Sequence, residues 1–488
     1  MLFFPKASLL LILSIAAEGS PSPPTVVFQD EASVDVAEPA GSVPSDARLL
    51  ELADVARGLV AGHYGETVEQ LDTPVKIVSR HRLRIGLIKD LHAQCSVQVA
   101  PRHVNAMTKQ LAESYSMALL ARYAFADGEI QVCPENIERL GVVLEIPELT
   151  TEESLTAVLV HEFVHARDAL QSELAKFVAS ATSADELQTR SAVLEGHAQW
   201  VTRKIVNGLE DGPGSLKSGF EHFTAAITAV PEGIEDPAQK LQASIAAQSF
   251  GFAYVDGERF VEAIAAARGP EGVQGLFTAP PNDPLVILQP DWHLDPSLRP
   301  ESKVDATAGL DRFEEIAVPE DFAANRQTLM VGQLRASLAG LDEAMIEEFV
   351  THLVKSELLI ASIPTDPNQM LTVGLLEFDS AGGALAALRT QSALLEYRDS
   401  QFAGGGVRIE SAEYTPWNPD AETRGMIAQK VVQAGSETIP VLTVVALRGA
   451  LMIELSIIGE VDEEEAAKRW ALETLEAATG AETANETR

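Results

Sequence analysis

Apolar residues recur at helical spacing over most of the first three hundred positions of the chain. This periodicity predicts helices over residues 46–58 and 101–123. Residues 74–88 mix β-branched and charged side chains and fit either a strand or a helix. The pair Asp127–Gly128 predicts a turn, and the residues after it predict a short strand over 129–133. The pattern is typical of a mostly helical domain with a small sheet.

Two capping patterns predict where the longest helices begin. Thr150 and Glu153 have the spacing of a capping box, in which each residue satisfies a backbone amide of the other. Ser183 and Glu186 repeat that spacing before a second long helix, for which Gly208 is a natural C-terminal stop. Further helices are predicted around residues 218–230, 238–249 and 257–268.

The pattern changes in the last third of the chain. Residues 370–396 predict a strand and then a helix, and residues 439–479 predict a hairpin and then a second helix. These β-then-α units favour a smaller α+β domain, of which the ferredoxin-like arrangement is one form. Because one core rarely exceeds ~250–300 residues, the 488 residues predict two domains, over 46–305 and 306–488. The expected fold class of the chain is therefore α+β.

The first residues of the chain have the composition of an export signal. Lys6 precedes an apolar run over residues 7–17, and small residues follow it in a cleavage-type pattern. We therefore predict a signal peptide over 1–19 and a secreted or periplasmic location. The run is shorter than the ~20 residues of a membrane-spanning helix, so no stable membrane insertion is expected after signal removal. Residues 20–45, rich in Pro, Ser, Ala and acidic side chains, predict a flexible leader.

The charge limits the classes of partner that we expect, and the cysteine content bears on the redox state of the compartment. Acidic residues outnumber basic ones by 72 to 36, which gives a formal net charge of −36. Such a surface repels phosphate backbones, so we expect no nucleic-acid partner. The two cysteines, Cys95 and Cys133, predict one disulfide in an oxidising compartment, with two buried free thiols as the alternative. The sequence carries no indication of the oligomeric state.

The strongest chemical signal is the segment HEFVH in the first long helix. His161 and His165 lie four residues apart and so on one helical face, where their imidazoles can converge on one tetrahedral ion at ~2.0–2.1 Å. Glu162 is turned from that face by about 100°, so it can reach a water molecule at the ion without binding the ion. Because zinc lowers the pKa of such a water to about 7, Glu162 is predicted to be a general base. The alternative is a core helix whose histidines make local hydrogen bonds.

A catalytic zinc site needs a third protein ligand beside one open position. Glu195, in the middle of the second long helix, is the candidate, and its small neighbours Gly196 and Ala198 would allow a close approach of the two helices. His197 is the competitor, but it lies two positions further on and so on another face. It is expected to be a surface or rim residue. Asp168, one turn beyond the histidine pair, is expected either to orient a ligand imidazole or to be a solvated acid.

These residues resemble those of a metallopeptidase family. VLVHEFVHARDAL followed by LEGHA is similar to the gluzincins, in which two His of HExxH and a Glu of a downstream helix bind zinc. LLARYAFADGEIQV resembles the strand before the HExxH helix, along which substrate lies extended in these enzymes. FGFAYVDGERFVEAI and PPNDPLVILQP resemble segments of an uncharacterised exported subgroup, from which residues 283–286 and Gln289 depart. The resemblance extends over residues 110–300 and implies a zincin-like first domain.

The resemblance also implies a reaction and a donor for its oxyanion. Tyr254 is predicted to be that donor, with His293 as the second choice and a core position as the alternative for Tyr254. The implied function is an exported zinc-dependent metallopeptidase that acts on a peptide or protein substrate. Its Zn²⁺ ligands would be His161, His165 and Glu195. The competing prediction is a secreted binding or scaffold protein on a gluzincin fold, with zinc structural or absent.

Overall fold

The computed structural model describes most of the chain from residue 43 onwards. The described residues are 43–96, 104–172, 174–208, 215–230, 247, 250–328, 334, 338, 341–363, 366–401, 407–434, 437–459 and 464–480. Over these residues the chain divides into two compact units, with the division between Leu294 and Asp295. The predicted signal peptide, most of the predicted leader and nearly all of the helix predicted over 238–249 lie outside the described residues. Both units contain helices and a sheet, which confirms the α+β class.

The first unit is mainly helical. Its helices are α1 (Asp46–Tyr64), α2 (Arg80–Cys95), α3 (Val104–Ala118), α4 (Pro134–Val143), α5 (Glu152–Gln171), α6 (Leu174–Ala179), α7 (Ala184–Asn207), α8 (Ser215–Thr228), α9 (Gly257–Thr278), α10 (Pro284–Leu288) and α11 (Pro290–Leu294). A π-helix over Phe252–Asp256 leads directly into α9. The chain bends within α9 at Gly269, where φ is +67° and Pro270 follows. The predicted helices around 218–230 and 257–268 correspond to α8 and the first part of α9.

A three-stranded sheet completes the first unit. Its strands are β1 (Val75–Ile77), β2 (Ala121–Ala124) and β3 (Glu129–Val132). Their order is β1-β3-β2, with β3 parallel to β1 and antiparallel to β2. The strand predicted over 129–133 is confirmed, and residues 74–88 hold both β1 and the start of α2. Strand β2 is therefore an edge strand, and it packs against α5.

Helix α5 runs through the core of the first unit. Every residue from Ser154 to Ala166 is buried. Its apolar side chains share one core cluster with side chains of α1, the small sheet and α7. A helix that is buried all round has no solvated polar face. The polar side chains at positions 161, 162 and 165 must therefore find their partners inside the protein.

Helix α7 and the start of α9 meet backbone to backbone. A Cβ atom on Gly196 would lie 2.1 Å from the carbonyl carbon of Gly257. A Cβ atom on Gly257 would lie 2.2 Å from the carbonyl oxygen of Ala192. No side-chain carbon fits at such distances, so the contact requires glycine at both positions. The contact brings the π-helix that precedes α9 beside the middle of α7.

The predicted cap residue is correct for α7 and displaced by one residue for α5. Ser183 caps α7, and its side chain accepts a hydrogen bond from the amide of Glu186, as predicted. The carboxylate of Glu186, however, accepts from the amide of Thr182 and not from that of Ser183. The cap of α5 is Thr151 and not Thr150. The hydroxyl of Thr150 instead donates to the carbonyl of Pro147, because Thr150 ends a short 3₁₀ turn. The capping role therefore falls to the next threonine.

The two cysteines are free, buried thiols, so the predicted disulfide is wrong. Both lie in one core cluster of the first unit, but their sulfur atoms interact with different groups. The thiol of Cys95 interacts with Thr108, and that of Cys133 interacts with the backbone of Asn136 at the start of α4. Burial raises the pKa of both thiols, so both stay protonated and unreactive at neutral pH.

The second unit is built on a seven-stranded antiparallel sheet. Its strands are β4 (Ala323–Thr328), β5 (Leu353–Ile363), β6 (Asp366–Phe378), β7 (Val407–Trp417), β8 (Thr423–Ala434), β9 (Glu437–Arg448) and β10 (Leu451–Ile458), in the order β4-β5-β6-β10-β9-β8-β7. Its helices are α12 (Ala306–Ala317), α13 (Glu343–Thr351), α14 (Ala381–Gln401) and α15 (Glu464–Thr479). Helices α12 and α15 share a core with alternate residues of the central strands. None of the helices that the structure describes combines the length and the apolar character needed to cross a bilayer.

The predicted strand–helix unit over 370–396 and the hairpin–helix unit over 439–479 are both present, as β6–α14 and β9–β10–α15. The ferredoxin-like arrangement is nevertheless wrong. That arrangement has two strands between its two helices, whereas four strands, β7 to β10, lie between α14 and α15. Strand β7 was not predicted. It is an edge strand with mostly exposed side chains, and its sequence therefore lacks a clear alternation of apolar residues.

Candidate metal centre

Two residues of α5 form the first half of the centre. His161 and His165 are one turn apart and both are fully buried. Their ring centroids lie 4.7 Å apart, with the ring planes nearly perpendicular at 85°. The Nε2 atoms of the two rings are 3.1 Å apart. The spacing in the sequence thus becomes two imidazole nitrogens that point at one place, as predicted.

Helix α7 supplies the third side chain. Glu195 is fully buried, and its Oε2 atom lies 3.1 Å from Nε2 of His161 and 3.2 Å from Nε2 of His165. Together the three side chains form a His, His, Glu cluster able to hold a metal ion. This is the set predicted from the sequence. It is also the one such cluster found among the residues that the structure describes.

The geometry and chemistry of this cluster fit a divalent cation. Ligand atoms at ~2.0–2.1 Å from a tetrahedral zinc ion lie about 3.3 Å from one another, close to the distances of 3.1–3.2 Å found here. Burial lowers the pKa of His165, which favours its neutral form. The neutral imidazole of His165, the Nε2 atom of His161 and the carboxylate of Glu195 then converge on one buried point, which is costly without a cation between them. The cluster therefore fits a metal ion.

Gln199 holds His161 in the tautomer that metal binding requires. Its Oε1 atom lies 3.0 Å from Nδ1 of His161. Because an amide oxygen only accepts hydrogen bonds, Nδ1 carries the proton and Nε2 keeps its lone pair for a metal. Sequence reasoning missed this residue. The signal was present, because Gln199 follows Glu195 by four positions and so shares its helical face.

Glu162 is held at the centre by the edge strand of the small sheet. Its Oε2 atom accepts a hydrogen bond of 2.5 Å from the backbone amide of Tyr123 in β2. Its side chain is almost completely buried. Glu162 does not belong to the His, His, Glu cluster, which agrees with the predicted separation of base and ligands. The contact with Tyr123 depends on tertiary pairing and has no signal in the sequence.

Tyr254 covers the centre from the π-helix. Its ring stacks on that of His161 with centroids 5.4 Å apart and an angle of 17° between the planes. Its hydroxyl interacts with the carboxylate of Glu195. Burial, together with the negative charges of Glu195 and Glu162, raises its pKa well above the ordinary value of 10. Tyr254 therefore stays protonated as a hydrogen-bond donor, in a π-helix of the kind often found at functional sites.

His197 and Asp168 form a separate buried pair. Nδ1 of His197 lies 2.7 Å from Oδ2 of Asp168, and both residues are buried. The predictions for them were wrong: His197 is not a surface or rim residue, and Asp168 neither orients a ligand imidazole nor is solvated. The reason is that the carboxylate of Asp168 contacts the imidazole of His197 on α7 and not a ligand imidazole. Asp168 also lies 3.6 Å from Nη1 of Arg167.

His293, the second choice for the oxyanion donor, has other neighbours. Its ring packs edge-to-face on Phe260 with centroids 5.5 Å apart. Its carbonyl accepts a hydrogen bond from Arg268. Residues 283–286 depart from the subgroup pattern. Among them, Asp283 caps the short helix α10, because its side chain accepts a hydrogen bond from the amide of Leu285. Of the two donor candidates, only Tyr254 has a described contact with the cluster.

Comparison with known proteins gives no assignment to set beside this geometry. Neither a protein-family model nor a curated protein matches the sequence. The side chains of this chain are therefore the only indication of what the centre does. Those side chains comprise a possible ligand set, an adjacent carboxylate held by a strand amide, and a protonated phenol.

Proposed function

We propose that this chain is an exported zinc-dependent metallopeptidase of the gluzincin type. The observation that carries the proposal is the convergence of His161 Nε2, His165 Nε2 and Glu195 Oε2 at 3.1–3.2 Å from one another. Three protein ligands leave one tetrahedral position free, the arrangement of catalytic zinc sites, whereas structural sites use four protein ligands. The apolar run at residues 7–17 is the basis for proposing export.

The side chains around the cluster suit peptide hydrolysis. Zinc, when bound, supplies a Lewis acid that polarises a carbonyl oxygen and lowers the pKa of water. Glu162 takes the proton of the attacking water and passes it to the leaving amine. The amide of Tyr123 keeps the Glu162 carboxylate in place for both transfers. Tyr254, which remains protonated, donates a hydrogen bond to the oxyanion that forms at the scissile carbonyl.

A second candidate function has one observation in its favour. His161, His165 and Glu195 are fully buried, and Glu162 and Tyr254 are each only 5% exposed. Phe223 adds to the enclosure, with its ring 5.7 Å from that of His161. A closed centre of this kind suits a secreted binding or scaffold protein in which zinc is structural. Glu162, which directly follows the candidate ligand His161 and is held by the Tyr123 amide, favours the enzyme.

The variant Glu162→Gln tests the proposal against the alternative. We expect wild-type protein to contain one zinc ion per chain and to cleave a peptide library, with cleavage abolished by a chelator. Glu162→Gln is expected to keep its zinc and lose about 10²–10⁴-fold of the cleavage rate, the usual contribution of a general base. His161→Ala serves as the control that loses zinc. Zinc-loaded wild type without activity on any peptide would support the binding or scaffold function instead.

A further inference from the structure

The small sheet carries a buried polar network that contains none of the candidate metal ligands. The Arg122 side chain of β2 is 1% exposed and pairs with Asp90 of α2, which is 3% exposed, at 2.8 Å between Nη1 and Oδ2. Nε of Arg122 donates to Gln131 on β3. Gln131 in turn donates to Glu129, which pairs with Lys76 of β1. The network thus crosses all three strands and ends on α2.

Helix α2 is shaped to receive the guanidinium group. A Cβ atom on Gly86 would lie 2.5 Å from Nη2 of Arg122, so the guanidinium group occupies the space that a side chain at residue 86 would take. The second oxygen of Asp90, Oδ1, accepts a hydrogen bond of 3.0 Å from the amide of Ala126 in the β2–β3 turn. Asp90 therefore binds both the strand and its turn to α2.

Such a network is difficult to explain by stability alone. The desolvation of a buried ion pair often cancels its Coulombic attraction, and apolar residues of similar volume can be as stable. A buried ion pair does, however, enforce one arrangement of the groups that it joins. The group that it fixes here is β2, the strand whose Tyr123 amide holds Glu162.

The pairing of the strands links the two contacts. Arg122 lies opposite Gln131 in the β2–β3 register, and Tyr123 lies opposite Ile130. Because backbone direction alternates along a strand, the amide of Tyr123 points away from β3 and towards Glu162. A displacement of β2 on α2 would therefore move the donor that holds the Glu162 carboxylate.

We propose that Asp90 and Arg122 are positioning residues, which fix β2 so that the Tyr123 amide holds Glu162 at the metal centre. The catalytic part of this inference rests on the proposed peptidase function, whereas the structural part does not. The predicted consequence is local. Loss of the pair frees Glu162 without removing a metal ligand.

The double variant Asp90→Asn/Arg122→Met tests the proposal, because it removes both charges while retaining side-chain volume. Its matched control is Lys89→Met/Asp127→Asn, which removes an exposed ion pair of 2.9 Å between the same helix and the same turn. Hydrogen exchange at the Tyr123 amide is expected to become about tenfold faster or more in the double variant, since its bond to a carboxylate is weakened. The amide of Ile130, which donates to Pro74, reports whether the rest of the sheet is intact.

Zinc affinity and kinetics complete the test. We expect the double variant to bind zinc as wild type does, and to lose at least about tenfold in kcat with little change in KM. Unchanged exchange at Tyr123, or an equal effect in the control pair, would overturn the proposal. If the double variant does not fold, the single variant Asp90→Asn, which retains one acceptor oxygen, is measured in the same way. If wild type cleaves no peptide, the peptidase proposal fails while the exchange measurement still decides the positioning role.

Discussion

Glu195 and His197 stand two positions apart on α7, yet their side chains have different partners. Glu195 converges with His161 and His165, whereas His197 pairs with Asp168 at 2.7 Å. Residues two positions apart on a helix are separated by about 200° around its axis, so only one of the two can point at the cluster, although both contact α5. The choice between them decides which side chain of α7 completes the proposed ligand set.

The variant Glu195→Gln is expected to lose more than about 100-fold in zinc affinity, because an amide oxygen carries no charge. Residues that only support a ligand typically account for about 10–100-fold. His197→Ala is expected to keep zinc affinity within about tenfold of wild type. It should instead lower the free energy of unfolding by about 1–3 kcal/mol, because Asp168 loses a buried partner. Competition with a chelator and denaturant titration measure the two quantities. A greater loss of zinc affinity in His197→Ala than in Glu195→Gln would contradict the assignment.

At the scale of single elements, the contact between α7 and α9 sets the shape of the centre. Gly196 and Gly257 allow the two backbones to touch. Gly196 directly follows Glu195, and Gly257 directly follows the π-helix that carries Tyr254. The close approach therefore brings Tyr254 to His161 and to the carboxylate of Glu195.

The variant Gly257→Ala tests this contact. Its new methyl group would meet the carbonyl oxygen of Ala192 at 2.2 Å, so we expect a loss of about 1–3 kcal/mol in the free energy of unfolding and weaker zinc binding. The matched control is Gly275→Ala on the same helix, where a Cβ atom would meet nothing within 4 Å. Gly275→Ala is expected to leave the free energy of unfolding unchanged or to raise it slightly. Thermal unfolding with and without zinc measures both variants. Equal stability of the two variants, with and without zinc, would show that the close approach of α7 and α9 is not required for stability or for zinc binding.

Features that depend on local spacing could be predicted from the sequence, and features that depend on tertiary pairing could not. The HExxH face and the Ser183 cap follow from helical geometry, and both are present. The Tyr123 amide at Glu162 and the Asp168–His197 pair join elements far apart in the chain. The hydrophobic periodicity of a sequence does not indicate such contacts. The ferredoxin-like interpretation failed because β7 and β8 were not predicted. Of these, β7 is an exposed edge strand and carries little hydrophobic signal.

At the scale of the whole molecule, the candidate metal ligands belong to one of two compact units. His161, His165 and Glu195 all precede the division at Leu294 and Asp295. The second unit has its own core, which involves α12, α15 and the large sheet. Among the described residues of that second unit, no group of side chains has the arrangement of a metal site. Zinc should therefore stabilise one unit and leave the other unaffected.

The melting temperatures of residues 43–294 and residues 295–488, produced as separate fragments, test this expectation. A ligand at 100 times its Kd stabilises the folded state by about 2.7 kcal/mol, so zinc should raise the melting temperature of the first fragment by several degrees. The second fragment is expected to fold and to show no shift. A zinc-dependent shift in the second fragment would place a metal site outside the His, His, Glu cluster.

The π-helix over Phe252–Asp256 makes the proposed chemistry depend on the length of the chain. A π-turn holds one residue more than an α-turn. The deletion of a single residue there would let the segment continue as an ordinary α-helix. Each residue of such a helix turns the next side chain by about 100°, so the phenol of Tyr254 would point away from His161 and Glu195 while Gly257 stayed against α7. The donor could then be lost through a one-residue deletion as well as through a substitution of Tyr254, with His161, His165 and Glu195 all unchanged.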